Sequence, residues 1–236
     1  TALPAMAASL NEDPLQMHSV VVAYVLAVAA CIPLSGWLAD RFGVRNTYFS
    51  AIIIFTLASL GCGFSESLNE LLFYRVLQGI GGALLLPVGR LAMLKVIPRT
   101  QFLSAMSLMS LAGLIGPLIG PTLGGWLVEV STWHWIFLIN LPMGLLGVLI
   151  SFKAMPNVTE QNVPRFDFWG FILLVITMAG LSLGIENFAS PHLTLWWSMG
   201  LIVLSLATAL WYAYHAHTHQ NALFRSKLFR NRIYAV

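Results

Sequence analysis

The sequence predicts an all-α integral membrane protein with seven complete transmembrane helices. Hydrophobic residues make up 58% of its 236 residues and charged residues only 9%, whereas a soluble domain carries about a quarter charged residues. Apolar runs long enough to cross a bilayer recur along the whole chain, and lysine and arginine are concentrated in alternate connections between them. This composition is incompatible with an ordinary soluble enzyme or binding domain.

Seven segments have the roughly 20 mostly apolar residues that a membrane-spanning helix needs: residues 18–38, 48–64, 71–93, 102–128, 133–152, 168–185 and 194–214. The connections between them are short, so sequential helices are expected to run antiparallel, without an intervening soluble domain. We divide the chain into a bundle over residues 1–152, a cytoplasmic link over 153–166, a further helix pair over 167–214, and a loop leading into another helix over 215–236.

The distribution of positive charge predicts the orientation. Ten of the twelve lysine and arginine residues lie in alternate connections: Arg41, Arg45, Lys95, Arg99, Lys153, Arg165, Arg225, Lys227, Arg230 and Arg232. Because cytoplasmic loops are enriched in these residues, those connections are expected to face the cytoplasm, and the first complete span is expected to run inward. We therefore expect most of one further helix before Thr1 and more helices after Val236.

The first cytoplasmic connection contains a charge motif bounded by glycines, Gly36-Trp-Leu-Ala-Asp40-Arg41-Phe-Gly43-Val44-Arg45. Gly43 permits a tight turn that residues with a Cβ resist. Asp40 and the two arginines are expected to form a small ion-pair network that holds neighbouring helices in one conformation. A plain solvated loop would explain the arginines, but it would not explain the glycine spacing.

The third span carries an arginine, Arg75, close to its start. A charged side chain inside a membrane helix costs about 2.5–3.5 kcal/mol on insertion scales, so this residue indicates a function unless its side chain snorkels to the outer interface. Arg75, Gln78 and Gly79 share one face of the helix. We interpret this face as a candidate functional surface.

The fourth span carries a glycine stripe, which recurs at intervals of three or four residues on one helix face: Gly113, Gly116, Gly120 and Gly124. Small residues on one face let another transmembrane helix approach closely. Pro117 and Pro121 each remove an amide donor from the same helix. The stripe therefore predicts close packing of the fourth span against a neighbour.

The fifth span opens with Trp133-His134-Trp135-Ile-Phe-Leu-Ile-Asn140-Leu-Pro142-Met-Gly144. Tryptophans at this depth anchor a helix at the membrane surface. His134 is either an interfacial polar residue or a pH sensor, since histidine titrates near neutral pH. Glu129 and Glu186, at the outer ends of their helices, are expected to be solvated.

Together these motifs resemble those of the major facilitator superfamily, in its branch of fourteen-helix drug:proton antiporters. The loop motif is similar to the pattern G-x-L-a-D-r-x-G-r-k, the third span to R-x-x-q-G, and the fifth span to W-R-W-I-F-x-I-N-x-P-x-G. The fourth span is similar to the antiporter motif at Gly116, Gly120, Pro121, Gly124 and Gly125. On this resemblance the seven spans are family helices two to eight, with the sixth and seventh as an extra central pair.

The resemblance implies a proton-coupled antiporter that exports small lipophilic or cationic compounds across the bacterial inner membrane by alternating access. The implied proton-coupling residues are Arg75, Gln78 and Gly79. The residues expected to line the substrate cavity are Tyr24, Gln78, Met106 and Met109. The family's first-helix acid would lie before Thr1. We expect a monomer whose partners are the substrate, protons and lipid, without a metal, a cofactor or a nucleic acid.

Two alternatives stay open from the sequence. The loop motif is shared by symporters and uniporters for nutrients or metabolites, although importers generally lack the antiporter motif. A non-transporting membrane scaffold or sensor is the second alternative. An enzyme has no support, because no nucleophile, base or phosphate-binding loop is visible. The histidines near the end of the seventh span place only His215 and His219 on one helix face, which is too few ligands for a metal site.

Overall fold

A computed structural model describes residues 2–155, 157–160, 162–189, 195–219 and 223. This part of the chain contains ten α-helices: α1 (Leu3–Leu10), α2 (His18–Cys31), α3 (Leu34–Phe42), α4 (Val44–Gly63), α5 (Leu68–Val96), α6 (Arg99–Val130), α7 (Trp135–Leu138), α8 (Asn140–Ala154), α9 (Phe168–Ala189) and α10 (Leu195–Thr218). Six spans are long and apolar enough to cross a membrane, with α7 and α8 joined as one, and the bent pair α2 and α3 supplies a seventh. The predicted all-α membrane fold with seven spans is confirmed. Thr1 and most of the predicted loop over 215–236 lie outside the described residues.

Helix ends differ from the predicted bounds where local chemistry sets them. Gly43 has φ +89°, so α3 ends at Phe42 and α4 begins at Val44, earlier than the expected start at residue 48. The Ser67 side chain accepts a hydrogen bond from the Glu70 amide. A capping side chain satisfies a free amide of the first turn, and α5 therefore begins before the expected residue 71.

The first span is broken between α2 and α3, whose axes differ by 57°. Pro33 lies in the break and has no amide hydrogen with which to continue the helical bonding. The Ile32 carbonyl oxygen accepts from the Ser35 amide at 3.0 Å and from the Ser35 hydroxyl at 2.7 Å, so one residue beyond the break provides both of its hydrogen bonds. After the break, α3 continues against α4 and α5.

Helix α5 packs against α2 on one side and α4 on the other. At both contacts a glycine of α5 lies directly against the backbone of the neighbouring helix. A Cβ placed on Gly79 would lie 2.6 Å from the Cβ of Ala27 and 2.7 Å from the carbonyl oxygen of Tyr24, and a Cβ on Gly81 would lie 2.7 Å from the Phe55 nitrogen. Only small residues let transmembrane helices approach this closely. Gly79, which the sequence placed with the coupling residues, thus closes the interface of α2 and α5.

Helices α9 and α10 form a closely packed pair that also contacts α2. A Cβ on Gly184 would lie 3.3 Å from the Ser198 carbonyl oxygen. The hydroxyl oxygens of Thr177 and Thr208 lie 2.9 Å apart across the pair. Such polar contacts hold helices together in a medium that offers no water to compete for them.

Helix α6 stands apart from this packing, and none of its residues is buried. Among the described residues, nothing beyond the helix's own turns lies within 4 Å of a Cβ placed on these glycines: Gly113, Gly116, Gly120, Gly124 and Gly125. The expected close packing of the glycine stripe is therefore wrong for this part of the chain. The neighbouring helices pack mainly against one another instead of against α6: α5 contacts α2 and α4, and α8 contacts α4.

Candidate functional site

Arg75 lies on α5 at the interface with α2. Its Nε donates to the carbonyl oxygen of Val20 at 3.0 Å, and its Nη1 donates to Oε1 of Gln78 at 2.7 Å. Gln78 lies three residues further along the same helix, so the two side chains share a face. This bond draws the guanidinium along α5 and into the span. Snorkelling to the outer surface does not account for it.

Aromatic rings enclose the same guanidinium. Its central carbon lies 4.4 Å from the ring centroid of Tyr24 and 5.7 Å from that of Phe137. A cation over an aromatic face is attracted by the ring quadrupole. In the part of the chain that the structure describes, Arg75 has no ion-pair partner. Arg75 is thus a half-buried cation held by neutral groups.

The hydrogen bonding continues beyond Gln78 into the bundle. Gln78 is only 2% exposed, and its Nε2 donates to the hydroxyl oxygen of Ser59 on α4 at 2.6 Å. Nδ2 of Asn140, the first residue of α8, approaches the same oxygen at 3.5 Å. We call Arg75, Gln78, Ser59 and Asn140 the polar relay. Neither Ser59 nor the contact of Asn140 could be predicted from the sequence, because a serine inside an apolar helix carries no motif.

The predicted cavity residues lie in different surroundings among the described helices. Tyr24 and Gln78 are engaged with Arg75. Met109 instead lines a cavity of about 450 Å³ that α4, α5, α6 and α8 border, and neither Tyr24, Gln78 nor Met106 contributes to it. The expectation that these four residues line one substrate cavity in the complete protein stays a prediction.

The cavity lined by Met109 is almost entirely apolar. Its polar side chains are those of Tyr48 and Ser151, and the Ser151 hydroxyl donates to the Val148 carbonyl oxygen at 3.1 Å. Two further methionines, Met93 and Met155, line its wall together with Met109. Flexible methionine side chains adapt to irregular apolar shapes. No charged side chain lines it.

The charge network at the first cytoplasmic connection differs from the expected one. The Asp40 carboxylate pairs with Lys95 on α5 at 3.2 Å, and the same Nζ pairs with Glu160 at 3.0 Å. Arg41 is exposed, and the Arg45 guanidinium lies over the ring of Phe152, 5.5 Å from its centroid. The expected pairing of Asp40 with the two arginines is thus wrong among the described ion pairs. Arg41, at the end of α3, points away from the bundle, whereas Lys95 reaches Asp40 across it.

Part of the cytoplasmic link is bound to this connection. The Glu160 amide donates to the Asp40 carbonyl oxygen at 3.1 Å, and the Val44 amide donates to the Val158 carbonyl oxygen at 3.3 Å. Nε1 of Trp37 donates to the carbonyl oxygen of Pro164 at 3.0 Å. The link therefore covers the loop motif instead of extending freely into solvent. At Gly43, the positive φ confirms the expected turn.

Open space surrounds the other glycine of the loop motif. Nothing among the described residues lies within 4 Å of a Cβ placed on Gly36. No described helix therefore approaches Gly36 closely. Gly36 also borders a pocket of about 340 Å³ with Ser35 and Arg90.

Titratable residues near the helix ends have different surroundings. Glu186 was expected to be solvated, but its side chain is only 21% exposed and binds Nδ1 of His18 at 2.9 Å, which ties α9 to α2. Glu129 is exposed, as expected. Burial lowers the pKa of His134 from its usual range, which favours the neutral interfacial role over a sensor that titrates near pH 7.

The histidines near the end of α10 are engaged inside their own helix pair. Nε2 of His215 lies 2.9 Å from a carboxylate oxygen of Asp167, and both side chains are nearly buried. The rings of His215 and His219 are stacked, with their centroids 4.0 Å apart. His215 therefore helps to close the end of the pair formed by α9 and α10.

Comparison with known proteins gives the family. A family model described as Major Facilitator Superfamily matches residues 1–224. Three relatives named "Putative multidrug resistance protein MdtD" are 52% identical in Salmonella dublin, 52% in Pectobacterium atrosepticum and 50% in Enterobacter sp., each over 236 residues. Each match covers 100% of this chain and 50% of the relative, so the chain spans about half the length of the curated relatives it matches. The seven membrane spans and the match over nearly all of its residues agree: the chain belongs to the Major Facilitator Superfamily of membrane transporters.

Proposed function

We propose that the complete protein carrying this chain exports small lipophilic or cationic compounds in exchange for protons. The proposal places it in the bacterial inner membrane, where it works by alternating access. Two observations support the substrate class. Relatives at 50–52% identity bear a multidrug resistance name, and the chain carries the glycine and proline pattern that resembles the antiporter motif.

The environment of Arg75 carries the coupling part of the proposal. A guanidinium stays protonated at every physiological pH, and this one is held among neutral groups at the interface of α2 and α5. A nearby positive charge lowers the pKa of a carboxyl group. A carboxylic acid brought beside Arg75 by another helix would thus release its proton readily and become a carboxylate, and a cationic substrate would compete with the proton for that carboxylate. The resemblance puts such an acid before Thr1.

The experiment that tests this proposal uses efflux-deficient bacteria that produce the complete protein. Cells are loaded with a fluorescent lipophilic cation, and its efflux is followed with and without a protonophore. We expect efflux to stop when the proton gradient collapses. Arg75→Ala should slow efflux at least about tenfold, equivalent to about 1.4 kcal/mol of transition-state stabilisation. Arg90→Ala is the matched control, since Arg90 is an exposed arginine on the same helix, and it should keep the wild-type rate.

The outcomes separate the alternatives. Efflux that survives the protonophore would remove proton coupling, and accumulation in place of efflux would favour an importer. A protein that reaches the membrane but moves none of a panel of lipophilic cations would favour the scaffold or sensor. Membrane levels of each variant, measured by immunoblot, keep a loss of insertion from being mistaken for a loss of coupling.

A further inference from the structure

The hydroxyl group of Ser59 contacts side chains from two other helices next to the Arg75 site. Ser59 on α4 is 0% exposed. Its oxygen accepts a hydrogen bond from Nε2 of Gln78 on α5 at 2.6 Å, and Nδ2 of Asn140 on α8 approaches the same oxygen at 3.5 Å. A buried polar network constrains the positions of its members most strongly when each group has a partner. The Ser59 oxygen is thus the junction through which α4 and α8 contact the side chain that holds Arg75.

The Gln78 amide is held at both of its polar atoms, by Arg75 and by Ser59. An amide side chain presents an acceptor oxygen and a donor nitrogen. The oxygen accepts from Arg75 at 2.7 Å, and the nitrogen donates to Ser59. In the reversed orientation the amide nitrogen would face the guanidinium, donor against donor. Because Arg75 can only donate, it fixes this orientation, and the Ser59 oxygen accepts from the amide nitrogen that the orientation turns away from Arg75. Without that acceptor the buried nitrogen would lose this partner, so the Gln78 position that Arg75 requires would be less stable.

The remaining contacts of Arg75 do not depend on this junction. Its Nε is held by the Val20 carbonyl oxygen, and its plane lies over Tyr24. If Gln78 is released, the guanidinium loses the bond at one edge and keeps the bond at the other, so it pivots in place. Because Coulomb energy varies inversely with distance, a pivot changes how strongly Arg75 acts on a carboxyl group nearby.

We propose that Ser59 is a positioning residue for Arg75, and that Asn140 extends this control to the break between α7 and α8. The proposal rests on the proposed function, in which Arg75 sets the pH range of proton coupling. Asn140 directly follows Ile139, the residue at which the two helices are separated. A movement of α8 therefore reaches Arg75 through the polar relay.

The test measures the pH dependence of export by the complete protein in proteoliposomes, from about pH 5 to pH 8. Ser59→Ala should move the midpoint of the pH profile by about 0.7 pH unit, the equivalent of the roughly 1 kcal/mol of one neutral hydrogen bond. Ser59→Thr keeps the hydroxyl and should keep the wild-type midpoint. The matched control is Ser65→Ala, since Ser65 is a buried serine that donates only to the Cys62 carbonyl oxygen.

Arg75→Lys is measured in parallel so that two kinds of failure are distinguished. If Arg75→Lys moves the midpoint but Ser59→Ala only scales the rate equally at every pH, the relay is refuted and the proposed function stands. If neither variant moves the midpoint, the coupling role of Arg75 fails, and this inference fails with it. When Arg75→Lys and Ser59→Ala are combined, the shift of the midpoint should equal that of Arg75→Lys alone. Additive shifts would mean that Ser59 acts independently of Arg75.

A second variant keeps the test decisive if Ser59→Ala does not fold. Asn140→Ala removes the other donor to the same hydroxyl, and its contact is long at 3.5 Å. We expect Asn140→Ala to move the midpoint of the pH profile less than Ser59→Ala does, and in the same direction. If Ser59→Ala does not fold, the direction is compared with that of Arg75→Lys. An unchanged midpoint in Asn140→Ala would refute the extension of the relay to α8.

Discussion

Replacing Gly79 with alanine tests the backbone contact on which the Arg75 site is built. The added Cβ would lie 2.6 Å from the Cβ of Ala27, 2.7 Å from the Tyr24 carbonyl oxygen and 3.3 Å from the Val28 nitrogen. Two of these three atoms belong to the backbone of α2, so no rotamer change relieves the clash, and α2 must move away from α5. Because Arg75 binds both Val20 and Tyr24 on α2, the same movement loosens the coupling site.

The expected magnitude combines two opposing effects. Overpacking of this kind costs typically about 1–3 kcal/mol, and contacts with rigid backbone put Gly79→Ala at the upper end. Alanine is favoured over glycine in a helix by about 1 kcal/mol. The net expectation is a loss of about 2 kcal/mol for Gly79→Ala. Gly89 lies on the same helix with its nearest neighbour at 3.5 Å, so Gly89→Ala should be neutral or stabilised by about 1 kcal/mol.

The assay is thermal unfolding of the purified complete protein, followed with a dye that fluoresces when it reacts with a thiol. Cys62 is 0% exposed and serves as the reporter of unfolding. At about 2–4 °C per kcal/mol, Gly79→Ala should lower the midpoint by roughly 4–8 °C, while Gly89→Ala should not lower it. Equal midpoints for the two variants would refute the close approach of α2 and α5, and with it the geometry proposed for Arg75.

Three further predictions follow from other contacts. Lys95→Gln removes the cation shared by two carboxylates, so amide hydrogen exchange in the cytoplasmic link should accelerate up to about fivefold, the range of an exposed ion pair; the same substitution at Arg90 should leave exchange unchanged. Burial lowers the pKa of His134, so its ring stays neutral from lower pH than an ordinary histidine, and His134→Gln should leave the export rate unchanged between about pH 7 and pH 8; a changed profile would restore the sensor hypothesis. Asp167→Ala removes the partner of a nearly buried histidine and the cap of Gly170, and should cost about 1–3 kcal/mol in thermal unfolding, whereas Glu129→Ala, at an exposed end, should cost nothing measurable.

Sequence patterns predicted the spans well because hydrophobic length and loop charge are local properties. They predicted the bounds less well, since a cap at Ser67 and a positive φ at Gly43 each move a helix end. The arginine of the third span is a candidate functional residue from sequence alone because an intramembrane charge is costly wherever it stands.

The partners of these residues were beyond prediction, because they depend on which helices meet. The glycines of α5 and of α6 look alike in sequence. Gly79 is closed by α2, whereas Gly116 faces open space among the described residues. In the same way, Asp40 pairs with Lys95, a residue 55 positions away, and not with its sequence neighbour Arg41. A spacing rule identifies a face, and the packing of the other helices decides what that face contacts.

The most direct test of the account is proton movement through the purified complete protein in proteoliposomes with an imposed pH gradient and a pH-sensitive dye. Adding a lipophilic cation should dissipate the gradient in the wild type and in Arg90→Ala, and should leave it intact in Arg75→Ala. Dissipation at the wild-type rate in Arg75→Ala would contradict the claim that this half-buried guanidinium couples protons to export.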